Sequence, residues 1–175
     1  MRSSTRKHRD LALFAMLGAL MFATRVAMAG IPSVHPLGLF IATFTVVYRR
    51  RALMPLYIFI ALEGLYGSYG LIWFAYLYVW LPLWGMFMLA GNLKLPQKIK
   101  PPLFMVLCGL HGLSFGTLCA PVEAVFFGPG LNPDWILARI IAGLPFDYVH
   151  AASNFAFGTL IIPLSELLKK LDRSY

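Results

Sequence analysis

The chain has 175 residues, of which 59% are hydrophobic and 13% charged, and it carries a formal net charge of +8 with a mean hydropathy of +0.73. A soluble globular domain carries roughly 25% charged residues. The composition therefore excludes one and points to an all-α integral membrane protein, a single membrane domain over residues 1–175 that is too short to add a soluble one. In that setting the surplus of cations is a topology signal with some attraction to anionic lipid headgroups, and no nucleic-acid partner is expected.

Of the 15 Lys and Arg, 13 fall in four clusters: Arg2, Arg6, Lys7 and Arg9; Arg49, Arg50 and Arg51; Lys94, Lys98 and Lys100; Lys169, Lys170 and Arg173. Basic residues flanking membrane spans stay cytoplasmic. With all four clusters inside, the chain makes three out-and-back excursions. That is a six-transmembrane-helix bundle with both termini cytoplasmic, N-in and C-in, and outer loops covering a ligand pocket.

A spanning helix needs roughly 20 apolar residues. Helix one is expected over residues 11–29. Its basic start, its apolar run and Ala27-Met28-Ala29 mimic a cleavable signal peptide. Arg25 interrupts that pattern, and cleavage would put the next basic cluster on the wrong side, so the segment reads as a retained helix. Helix two, over 36–48, is short. Helix three covers 52–65 and gives way to a glycine-spaced loop at 64–70. Helix four covers 71–90, and 92–102 reads as a cytoplasmic loop. Helix five covers 103–120, with Cys108 and Cys119 as packing residues. An outer loop over 121–134 holds three prolines and two glycines and reads as neither helix nor strand. Helix six covers 135–168, interrupted or kinked at Pro145 and Pro163.

Ionisable residues inside a membrane are costly and are functional candidates by default. On helix six, Arg139, Gly143, Asp147, His150, Asn154 and Gly158 fall within about 100° of one another at 100° per residue. They form a polar stripe with space beside it, read as one wall of a binding cavity. Tyr69, Trp73 and Tyr76 form an aromatic stripe suited to a flat ligand. Trp80 and Trp84 continue the stripe, and Trp84 belongs to packing. Arg25 and Glu63 stand at outer helix ends, where they either contact ligand or pair with each other, and Tyr66 lies in the same region. His111 is mid-helix in five; His35 and Glu123 lie on outer loops. Two arginines facing one cavity suit an anionic group on the ligand.

Helix one carries a second signal. Ala15, Ala19 and Ala23 repeat every four residues, the spacing that lets another helix approach closely. Arg25 lies more than about 120° around the helix from the centre of that stripe. The alanine face therefore points away from the site, towards another helix of the bundle or a second protein.

The ladder Ala15-xxx-Ala19-xxx-Ala23, the polar segment from Pro145-Phe146-Asp147 to Asn154 and the six-helix pattern together resemble the substrate-binding S components of energy-coupling factor (ECF) vitamin transporters. The resemblance covers the whole chain in topology and those two segments at residue level. It implies a bacterial plasma-membrane subunit that captures a vitamin or related micronutrient from outside and is not itself an enzyme. It further implies docking through Ala15, Ala19 and Ala23 to a membrane scaffold bearing two cytoplasmic ATPases. The gating loops would include His35, residues 66–70 and Glu123. The ligand signatures of the thiamin, riboflavin, biotin and folate binders are incomplete here, so no substrate carries over, and no cofactor or metal is implied.

Two other classes compete. Asp147, His150 and His111 suit general acid–base work in an intramembrane enzyme. No nucleophile motif accompanies them, and neither His-x-x-x-His nor His-Glu-x-x-His occurs. A stand-alone secondary transporter or channel would more often show inverted repeats, and none is visible.

Overall fold

The computed structural model describes residues 2–67 and 70–173, and every regular element among them is helical. The elements are α1 (Arg2–Ala27), α2 (Leu37–Tyr48), α3 (Leu53–Tyr66), α4 (Trp73–Val79), α5 (Leu81–Ala90), α6 (Lys100–Phe127), α7 (Pro133–Phe157) and α8 (Ile161–Arg173). Short 3-10 turns precede α3, α4 and α8. Helices are what an apolar medium demands, because each pairs its own backbone N–H and C=O groups internally.

Four stretches are long and apolar enough to cross a membrane: His8–Ala27, Gly70–Ala90, Lys100–Phe127 and Pro133–Asp172. The chain is accordingly compatible with a multi-pass membrane protein. With 12 and 14 residues, α2 and α3 are shorter. At 1.5 Å per residue they reach about 18 and 21 Å, below the roughly 30 Å of a hydrocarbon core. Yet α2 is deeply enclosed, with Leu37, Ile41, Ala42 and Phe44 all buried.

Packing is set by small residues where backbones approach. Phe14, Leu17 and Met21 of α1 are buried, and Gly18 beside them meets α3 so closely that a Cβ would stand 2.7 Å from Ile58 Cγ2. α6 and α7 run antiparallel in contact. Gly112 faces the His150 carbonyl and Ala151, while Gly116 faces the Asp147 side chain.

The basic clusters gather at one end. Arg51 reaches Asp10 at 3.0 Å, and Arg9 lies 3.6 Å from Asp172, so the start of α1 meets the end of α8. Arg49 donates to the Met88 carbonyl at 2.9 Å and to Asn92 Oδ1. Arg25 is sixteen residues along α1 from Arg9, or about 24 Å of helix rise, and pairs there with Glu63 of α3.

Several element boundaries differ from the sequence reading. α6 begins at Lys100, inside the expected loop, because Pro101 and Pro102 occupy its first turn, where a missing N–H is not needed. It then runs through Pro121 to Phe127. Pro121 forfeits one helical hydrogen bond, but the helix that continues past it buries Ala124 completely and brings Glu123 to Arg139. The outer loop thereby shrinks to 128–132. It closes with Gly130 at φ 82° and with Asn132 capping α7, whose Trp135 N–H donates to Asn132 Oδ1 at 3.0 Å. α7 passes through Pro145, and the interruption falls instead at Gly158–Leu160. Pro163 sits in the first turn of α8. The expected helix over 71–90 divides at Trp80, just ahead of Pro82 in the first turn of α5.

Candidate functional site

A cavity of about 300 Å³ opens between α4, α6, α7 and the segment joining α1 to α2. That volume is at the small end of ligand pockets. α7 lines it with Arg139, Gly143, Phe146, Asp147 and His150; α6 with Phe115, Gly116, Cys119 and Glu123; α4 with Tyr76; and the connecting segment with Ser33 and His35. The polar stripe read from α7 thus meets an aromatic one from α4.

The groups differ in how well they are satisfied. Arg139 pairs with Glu123 through a hydrogen bond from Nε. Asp147 is only 4% exposed. Its Oδ1 accepts from the Gly116 N–H at 2.9 Å, whereas its buried Oδ2 has no partner. That carboxylate rests on Gly116 because the residue has no side chain: a Cβ there would stand 2.5 Å from Oδ2. His150 is 3% exposed, and its Nε2 is likewise without a partner. The His150 ring meets those of His35 and Phe115 edge-on, with centroids 4.8 Å apart in both cases. Burial pushes the pKa of His35 down to about 4, with the charge of Arg25 adding to the effect, so this imidazole is neutral at pH 7. The cavity therefore offers an unengaged carboxylate oxygen, imidazole nitrogens and aromatic faces, closed at one side by an ion pair. That set suits holding a small polar molecule with a flat ring.

The remaining sequence candidates lie elsewhere. Arg25 and Glu63 pair with each other at 3.4 Å, and Arg25 borders a separate cavity of about 190 Å³ against the α1–α2 segment. The Trp73 Nε1–H donates to the Ile60 carbonyl at 2.7 Å, and the indole covers Gly64, so it ties α4 to α3. Tyr66 is 60% exposed and packs edge-on against Phe22. His111 donates from Nε2 to the Val79 carbonyl at 2.8 Å and stacks on Trp80, one layer behind the cavity wall. Asn154 continues the α7 stripe but is 1% exposed and fits against Gly38 of α2. Glu123, which does line the main cavity, is on α6 and not on the expected loop. Tyr69 lies outside the described residues.

Sequence reading missed Phe115, Gly116 and Cys119. The signal was available: His111, Phe115, Cys119 and Glu123 follow one another at intervals of four, a single helical stripe. Treating 121–134 as a loop cut that stripe short.

On α1, Ala15, Ala19 and Ala23 are all exposed, on the side opposite the buried Phe14, Leu17 and Met21. No helix of the chain covers the ladder among the described residues. Nor do those residues contain a group of three or more His, Cys, Asp or Glu side chains arranged to hold a metal ion. Comparison with protein-family models, with curated proteins and with solved structures finds no match to this chain.

Proposed function

We propose that the chain is the substrate-capture subunit of an ECF-type transporter. It crosses the bacterial plasma membrane six times with both termini cytoplasmic, binds a vitamin-like micronutrient from outside, and hands it to a scaffold bearing two ATPases. The observation that carries this reading is the division of labour between two faces. The polar cavity holds an unpartnered, buried Asp147 oxygen, while the alanine ladder of α1 stands uncovered on a different face. A small-residue stripe left open in a membrane helix is suited to close contact with another helix. The convergence of the basic clusters at one end supports a common cytoplasmic side.

The test is an affinity pull-down from native membranes in mild detergent, comparing wild type with Ala19→Trp. A co-eluting membrane scaffold and two ATPases, lost in the variant, are expected, with any bound small molecule retained by both. A folded chain that elutes alone overturns the reading in favour of a stand-alone transporter or an enzyme.

A further inference from the structure

At the end of the molecule where the basic clusters meet lies another cavity, of about 230 Å³, bounded by the ends of α2 and α5, the start of α6 and one face of α8. Its floor is apolar, with Phe104 and Ile162. Its rim carries three cations from three different elements, Arg49, Lys100 and Lys169, against one carboxylate, Glu166. Among the described residues no carboxylate lies within ion-pair distance of any of the three cations, in contrast to Arg9, Arg25, Arg51 and Arg139. Ser165 also lines this cavity: it is 3% exposed, and its Oγ has no hydrogen-bond partner. A buried hydroxyl without a partner is uncommon, because its desolvation goes uncompensated.

Arg49 is held in place at some conformational cost. It adopts φ 57° and ψ −123°, a left-handed backbone that a side chain rarely tolerates outside functional positions. Its Nη2 donates to Met88 O and Asn92 Oδ1, and Gly91 beside it lacks the side chain that would displace the guanidinium. The planar group is therefore fixed at the cavity mouth before any ligand arrives. A fixed guanidinium, two ammonium groups and a free hydroxyl donor form the set that recognises a phosphate oxygen cluster. The apolar floor beneath them is suited to an acyl chain.

We propose that this cavity binds a phosphate group, presented either by an anionic lipid headgroup or as free phosphate. The site is independent of the transporter reading and of the Asp147 cavity.

Two probes separate the sources: inorganic phosphate, and short-chain phosphatidylglycerol with the phosphate-free diacylglycerol of equal chain length as control. Binding to the detergent-purified chain is read by native mass spectrometry and by thermal shift. Retention of phosphatidylglycerol but not of diacylglycerol or phosphate identifies a headgroup site; saturable binding of phosphate itself identifies a free-phosphate site. In either case Lys100→Gln/Lys169→Gln is expected to weaken binding roughly tenfold or more, while Lys94→Gln/Lys98→Gln, which removes the same charge outside the cavity, leaves it near wild type. If the first double variant does not fold, Lys169→Gln alone, at an exposed side chain, serves the same comparison with a smaller expected loss. Absence of binding by both probes, or equal loss in the in-cavity and out-of-cavity variants, overturns the proposal.

Discussion

The Arg25 guanidinium and the Glu63 carboxylate lie 3.4 Å apart, with 11% and 0% of their side chains exposed, and join α1 to α3 at the end remote from the basic clusters. Removing one partner of a buried pair strands the other charge, at a cost of about 3–5 kcal/mol, whereas replacing both with apolar residues is often neutral. Arg25→Met and Glu63→Met should therefore each destabilise the protein strongly, and the double variant should recover most of the loss. A double-mutant cycle on unfolding in detergent checks this. Additive losses would mean that the two charges act separately.

The close approaches of α6 predict a sharp contrast among glycines. A Cβ at Gly112 would stand 2.8 Å from the His150 carbonyl oxygen, and one at Gly158 would stand 2.6 Å from Met105 Cα. Both neighbours are backbone and cannot swing aside, so Gly112→Ala and Gly158→Ala should each cost about 1–3 kcal/mol. At Gly85, within α5, nothing lies within 4 Å of the added methyl. Gly85→Ala should be neutral or stabilise by about 0.5–1 kcal/mol, since alanine loses less backbone entropy in a helix. Melting temperatures of the three variants decide the matter; an equal response at all three sites would contradict the packing described.

The stripe on α7 was legible in the sequence because helical periodicity alone brings Arg139, Gly143, Asp147 and His150 to one face, and all four line the cavity. Periodicity likewise turns the alanine face of α1 away from Arg25, while leaving open whether another helix of the bundle covers it. What periodicity does not encode is pairing between helices. Nothing local shows that Arg139 belongs to Glu123, or that the Trp73 indole caps the Ile60 carbonyl. The proline rules misled at 121 because they weigh one lost hydrogen bond against a free helix. Here the continued turn buries Ala124 and carries Glu123 to Arg139.

His35 predicts a pH effect whose direction follows from burial. Its pKa of about 4 in the folded protein lies below the ordinary 6.5, so between those values the unfolded chain binds a proton that the folded one does not. The stability associated with the neutral ring is full above about pH 6.5 and is lost as pH falls towards 4. The ring faces Arg25 from α1, Trp80 between α4 and α5, His111 from α6 and His150 from α7, none of which supplies a compensating negative charge. Wild type should lose melting temperature between pH 7 and 5 more steeply than His35→Gln. Parallel curves would show that the imidazole does not titrate in that window.

Gly116 offers a way to disturb the cavity without touching a charged group. Its amide holds Asp147 Oδ1 at 2.9 Å, and its missing side chain gives Oδ2 the space it occupies. In Gly116→Ala the new methyl must displace the carboxylate towards the cavity. A bound small molecule that donates to Oδ2 would then lose both its partner and its room. Retention of any co-purifying ligand should fall about tenfold or more, as expected when a buried polar contact is broken, and Asp147→Ala should do the same. Neither change touches the exposed ladder of α1, so any scaffold that docks there, as the proposed function requires, should be captured by both variants. If Gly116→Ala released the scaffold while keeping the ligand, the two faces would have been assigned the wrong way round.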